Sequence, residues 1–143
     1  MSVAEVAVPT PSKWANGDSQ EFWEALADGR LLLQQCDHCG HRQHPPRYMC
    51  SVCWTARPKW LECSGDGLIE SVTVVRRAPL PEFRVAVPYV IAAVTLAEGP
   101  RMIVTLIGPD AEQARIGDAV QVIIAQEQDG STLPKFRRVG TAS

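Results

Sequence analysis

The chain is 143 residues long, 45% hydrophobic and 21% charged, with a net charge of −2. This is the size of one domain, or of one domain with a small module, in the composition of an ordinary soluble globular protein. The balance excludes a global pull toward nucleic acid or an anionic membrane, and no apolar run reaches the roughly 18 residues that would span a bilayer.

Charge is unevenly distributed: residues 1–29 carry −4, residues 30–63 carry +3 and residues 64–143 carry −1. Met1 to Asn16 has no basic region followed by a hydrophobic core, so it does not read as a secretory signal. Four of the five cysteines stand in metal-type pairs. That usage fits a reducing compartment and predicts a cytoplasmic protein.

Residues 1–17 are rich in Pro, Ser and Ala without a period and read as a flexible arm, with Trp14 as an isolated aromatic. Asp18 to Glu21 has the pattern of a capping box, with Asp18 at N-cap and Glu21 at N3. It opens a helix through Phe22, Trp23, Ala25 and Leu26, which Gly29 stops. Phe22 and Leu26 are expected to pack on the body of the protein; the rival reading puts Phe22 or Trp23 in a subunit interface.

Leu31 to Leu33 leads as an extended segment into Cys36-Asp37-His38-Cys39. Gly40 follows, where a positive φ is often needed. His41 to His44 reads as a return strand that Pro45-Pro46 ends. Arg47 to Met49 leads into Cys50-Ser51-Val52-Cys53, and Trp60 to Glu62 leaves the module. The two Cys-x-x-Cys pairs are ten residues apart. They can converge on one tetrahedral ion, and four thiolates leave it no open position, so Cys36, Cys39, Cys50 and Cys53 predict one structural Zn²⁺ per chain. Iron fits the same thiolate geometry; zinc suits a chain with no visible electron partner.

From Ser64 the texture changes to apolar, β-branched runs separated by turn signals: Leu68 to Val75, Tyr89 to Leu96, Met102 to Ile107, Val120 to Ala125 and Leu133 to Val139. Gly99-Pro100 makes a hairpin connection, and a helical turn is expected at Ala111 to Ala114. Five short strands in about 80 residues predict a small Greek-key barrel of the OB type. The fold class is therefore mostly β: an N-terminal helix, a rubredoxin-like zinc ribbon and a five-stranded OB-fold barrel. The expected boundaries are 1–17 for the arm, 18–63 for helix and ribbon, 64–139 for the barrel and 140–143 for a tail.

The ordered set Phe22-Trp23-Glu24, Leu33 to Gly40, Pro45-Pro46-Arg47, Cys50 to Cys53, Ser64 to Gly67, Pro88-Tyr89-Val90, Glu98 to Arg101, Arg115 to Asp118 and Leu133 to Phe136 carries a resemblance. Over roughly residues 18–139 the chain resembles the zinc-ribbon plus OB-fold proteins that accompany acyl-CoA enzymes. The resemblance implies an accessory or scaffold subunit, non-catalytic alone. Its partner would be a thiolase-like protein (thiolase, acyltransferase or aldolase) or a hydratase, in a hetero-oligomer. It also implies that the OB portion contacts or channels acyl-CoA, in steroid side-chain, polyketide-like or isoprenoid metabolism. One departure is Trp54, where the second knuckle often carries Gly; Trp54 is expected to alter that turn or to cover the site.

Candidate contacts with acyl-CoA or a partner follow. Arg76, Arg77 and Arg84 lie on the long connection after the first barrel strand, and arginine forks suit phosphates. Lys135, Arg137 and Arg138 form a second basic patch. Phe83, Tyr89 and Phe136 are aromatics a barrel can offer for stacking, alongside Phe22 and Trp23 near the ribbon. The rival reading is a single-stranded nucleic-acid-binding ribbon and barrel, but nine aromatics and a negative net charge argue against nucleic acid as partner. Cys63 reads as a small core or surface thiol, and His38, His41 and His44 as ribbon residues, His38 close to the sulfurs. No catalytic constellation is present in the sequence.

Overall fold

The computed structural model describes residues 19–84, 87–127, 130 and 132–139. The expected arm, the Asp18 cap, Trp14 and the tail fall outside them. The chain splits at Ser64/Gly65 into two compact units, with Ile124–Pro134 grouped with the first and the residues from Lys135 with the second.

Helix α1 (Gln20–Ala27) is entered at Ser19, which makes no side-chain capping hydrogen bond. Its exit is better built. The Gly29 N–H donates to the Leu26 carbonyl and the Arg30 N–H to the Ala25 carbonyl, the pair of bonds of a Schellman cap. Phe22, Ala25 and Leu26 share the buried face. The helix packs on the strand that begins at Leu32, and Leu31, Leu32 and Leu33 are also buried.

Strands β1 (Leu32–Gln35), β2 (Arg42–Gln43) and β3 (Lys59–Glu62) form a sheet in the order β2-β1-β3. Gln34 is opposite Gln43 on one side and opposite Trp60 on the other. The second knuckle is a separate hairpin: Met49 and Ala56 form an antiparallel bridge, and the Arg57 N–H donates to the Tyr48 carbonyl.

The five predicted apolar runs are strands β4 (Asp66–Val75), β5 (Tyr89–Leu96), β6 (Arg101–Leu106), β7 (Ala119–Gln126) and β8 (Thr132–Arg138), in a closed barrel of order β4-β5-β6-β8-β7. β4 closes the barrel by pairing with β7, and β8 runs parallel to β6. This is the mostly β, OB-type barrel expected. The connection before β5 contains a short helix, α2 (Pro81–Arg84), which the sequence does not announce. A 3₁₀ turn at Ala111–Gln113 occupies the expected helical position.

The barrel core contains Ile69, Val94, Leu96, Val120 and Phe136, each at most 2% exposed. Gly67 is set by packing: a Cβ there would lie 2.5 Å from Val94 Cγ1 and 3.0 Å from the Thr95 carbonyl oxygen. The alternation expected of β7 holds at Ala119, Val120 and Gln121 and then gives way to half-burial on both faces.

Candidate metal centre

The four paired cysteines converge. Their sulfurs all lie within 4.8 Å of one another. Cys36 Sγ is 3.5 Å from Cys53 Sγ, and Cys39 Sγ is 3.6 Å from Cys50 Sγ. With Zn–S bonds of about 2.3 Å, tetrahedral sulfurs stand about 3.8 Å apart, so this set fits one zinc ion. Cys36 and Cys50 are buried, Cys53 is half-buried and Cys39 is exposed.

The two knuckles have the same backbone plan. Cys36 N–H donates to the His41 carbonyl and Cys50 N–H to the Thr55 carbonyl; Gly40 N–H returns to the Cys36 carbonyl and Trp54 N–H to the Cys50 carbonyl. Amides of His38 and Cys39 point at Cys36 Sγ, and the Val52 amide at Cys50 Sγ. Such N–H···S contacts favour thiolate, the form that binds metal. The sulfurs and the amides around them shift one another's titration. Cys50 is pulled down, first by the Cys53 amide, and Cys53 is pulled down, first by the Thr55 hydroxyl. At Cys39 the His41 backbone pulls down, but desolvation and the neighbouring sulfurs prevail and push the thiol up to about 12. Four thiolates this close need a cation to neutralise them.

The plan has one asymmetry. Its left-handed residue is Gly40 in the first knuckle, at φ 79°, and Trp54 in the second, at φ 68°. That conformation costs an L-residue about 1–2 kcal/mol relative to glycine. The Trp54 side chain is 73% exposed, so it does not close over the sulfurs as a lid.

A buried amide network, unforeseen from the sequence, holds the knuckles to the sheet. Gln34 and Gln43 are 3% and 7% exposed. Gln43 Nε2 donates to Gln34 Oε1 and to the Met49 carbonyl, while Gln43 Oε1 accepts from the Ser51 amide. Gln34 Nε2 donates to the Arg47 carbonyl and its Oε1 accepts from the Arg47 amide. The only signal in the sequence is that glutamines flank the first knuckle, Gln34 and Gln35 before it and Gln43 after it. His41 Nε2 lies 3.2 Å from Ser51 Oγ, a further tie between the knuckles. His44 packs its ring on Phe22 at 5.3 Å, with Nδ1 buried and without a partner, and burial pushes its pKa down to about 4.

The other candidate residues do not assemble into one site. Phe22 is buried, edge-to-face on Trp23 at 5.0 Å, so it packs the ribbon unit rather than offering a surface; Trp23 is half-buried. Phe136 is fully buried, which removes it as a stacking platform: its ring is barrel core. Arg138 is likewise not a free phosphate ligand. It donates to Asp118 Oδ2 at 3.0 Å and to the Asp110 carbonyl at 3.2 Å, fixing the turn before β7. Arg84 donates to the Ala78 and Pro79 carbonyls and so closes its own loop. Arg76 pairs with Glu112 at 3.6 Å on the surface, Arg77 is exposed and Tyr89 is half-buried. The Phe83 side chain lies outside the described residues. No helix among the described residues is long and apolar enough to cross a membrane.

Two protein-family models match the chain: the rubredoxin-like zinc ribbon domain of ChsH2 over residues 23–58, and the C-terminal OB-fold domain of ChsH2 over residues 60–124. A DUF35 domain-containing scaffold protein of Methanothermobacter thermautotrophicus is 32% identical over 100 residues, covering 69% of this chain and 74% of the relative. A probable enoyl-CoA hydratase alpha subunit of Thermomonospora curvata is 33% identical over 127 residues, 89% of this chain; the chain spans only 39% of that relative's length. Among solved structures, a chain of an Ltp2-ChsH2(DUF35) aldolase superposes with a TM-score of 0.78 at 33% identity, over 87% of this chain and 96% of that one.

Proposed function

The chain belongs to the DUF35 family of zinc-ribbon and OB-fold scaffold proteins, and we propose that it is the accessory subunit of an enzyme acting on acyl-CoA thioesters. The partner is a thiolase-like protein or a hydratase, and it carries the chemistry. The observation that carries this reading is the likeness, over 96% of the matched chain, to part of an aldolase whose name joins two proteins. The hydratase-named relative supports the same substrate class.

The chemistry of the chain agrees with an accessory role. A four-thiolate ion has no open position for a substrate or water, so the metal holds the ribbon together rather than reacting. The barrel interior is filled with aliphatic side chains and Phe136. With Phe136 in the core, the barrel loses one of the aromatics that a single-strand binder would use.

The test is affinity purification of the tagged full chain from its own cells, followed by acyl-CoA turnover assays on the recovered complex with and without this chain. A stoichiometric acyl-CoA enzyme that loses turnover when the chain is removed is the expected result. Recovery of nucleic acid alone, or full turnover without the chain, would overturn the reading.

A further inference from the structure

We infer that the second knuckle hairpin is the surface by which this chain docks on its enzyme partner; the inference rests on the accessory-subunit reading and gives it a location. Four large apolar side chains are exposed within seven residues of this hairpin: Tyr48 at 63%, Met49 at 45%, Val52 at 60% and Trp54 at 73%. Together they expose on the order of 500 Å², well over half of the roughly 800 Å² that one side of a standard protein interface contributes. Isolated exposed apolar residues need no explanation, whereas four within one hairpin reach the size of the largest apolar patch on a typical monomer, a patch that is often functional.

The backbone adds an independent observation. Trp54 and Arg57 are the non-glycine residues with positive φ among those described, and both lie in this hairpin. The first knuckle meets the same requirement at Gly40 without strain. The knuckle's own hydrogen bond, from the Trp54 N–H to the Cys50 carbonyl, calls for a left-handed residue but not for a tryptophan, whose side chain it turns into solvent. Strain of this kind concentrates at functional positions.

The occupant is a protein surface of defined chemistry. Arg47 and Arg57 flank the apolar cluster, both exposed and without an ion pair among the described residues. The partner therefore presents an apolar hollow for Trp54 and Tyr48, with carboxylates on its rim facing the two guanidinium groups. Tryptophan, tyrosine and arginine are the residue types that dominate interface hot spots.

The test uses the full chain and the acyl-CoA enzyme recovered with it. Hydroxyl-radical footprinting of the complex is expected to show Trp54, Tyr48 and Met49 protected relative to the free chain. Trp54→Gly is expected to weaken the complex at least about 30-fold, and Arg47→Glu about 5- to 30-fold with a strong salt dependence. Zinc content should be retained in both variants, and thermal stability should be unchanged in Arg47→Glu and unchanged or raised in Trp54→Gly, which separates lost docking from lost folding. A complex that forms with wild-type affinity in both variants, with the knuckle still fully oxidised, overturns the docking site and leaves the accessory-subunit reading standing. Recovery of no acyl-CoA enzyme, with self-association that Trp54→Gly abolishes, overturns both and makes a second copy of the chain the occupant.

Discussion

In the ribbon, the groups with fewest alternatives are four sulfurs and two buried amides; in the barrel they are methyl groups and a glycine. The ribbon's sheet has strands of two to four residues, too short to enclose much apolar surface. It is held by the knuckles and by Gln34 and Gln43, which satisfy backbone groups of residues 47 to 51. The barrel has strands of six to ten residues and closes on itself. Its order comes from close packing, as at Gly67 against Val94. The two units should therefore fail under different insults.

Chelation should separate them most clearly. Structural zinc is worth on the order of 10 kcal/mol in ribbon-sized peptides, so its removal should unfold β1–β3 and both knuckles. Amide exchange should then become fast in the ribbon and stay slow in β4–β6; a metal-free protein that keeps ribbon protection would refute the metal-dependent half of the comparison.

Gln43→Leu attacks the ribbon without touching a sulfur. It leaves the Ser51 amide and the Met49 carbonyl without their partner and should cost about 3 kcal/mol. The loss should register as faster ribbon exchange and weaker zinc retention in competition with a chelator. Gly67→Ala is the matching change in the barrel. Its methyl meets a fully buried valine and a backbone oxygen, so a cost of about 2 kcal/mol is expected in urea unfolding, with zinc content unchanged.

Acid should act on the ribbon through His44 as well as through the thiolates. The unfolded chain binds a proton near 6.5, whereas folded His44 does not until about 4. Stability is therefore full above 6.5 and falls as pH drops toward 4, by about 2 kcal/mol between pH 6.5 and 5. His44→Phe should flatten that slope in thermal unfolding at matched zinc occupancy; an unchanged slope would assign the acid sensitivity to the sulfurs alone. The smallest effect has the opposite sign. Trp54→Gly relieves a left-handed residue and should stabilise the ribbon by about 1 kcal/mol in chemical unfolding.

Much of this architecture was legible because its signals are local. Paired cysteines fix a knuckle within four residues, and the apolar runs around β4 to β8 differ from the strands by at most two residues at either end, with β5 matched at both. The change of texture at Ser64 marked the order of ribbon and barrel, and the resemblance to ribbon-and-barrel proteins added the accessory role. What stayed hidden depends on distant partners. Gln34 and Gln43 look like surface amides until the chain brings carbonyls from residues 47 and 49 over them. Arg138 reads as a free cation in sequence because Asp110 and Asp118 are 20 or more residues away. Phe136 has the composition of a stacking residue, and only the parallel register of β8 on β6, with Phe136 opposite Leu106, puts it inside.

The glutamine network has a consequence for how such a chain can diversify. Its bonds to residues 47, 49 and 51 go to main-chain atoms, which every amino acid other than proline supplies alike. Apart from Cys50, the fold therefore places few demands on the side chains of residues 47 to 51. Descendants of a common ancestor can rewrite the outer face of the second hairpin one residue at a time while the amides and sulfurs beneath keep their geometry. A small scaffold of this construction can change allegiance between enzymes without first becoming unstable.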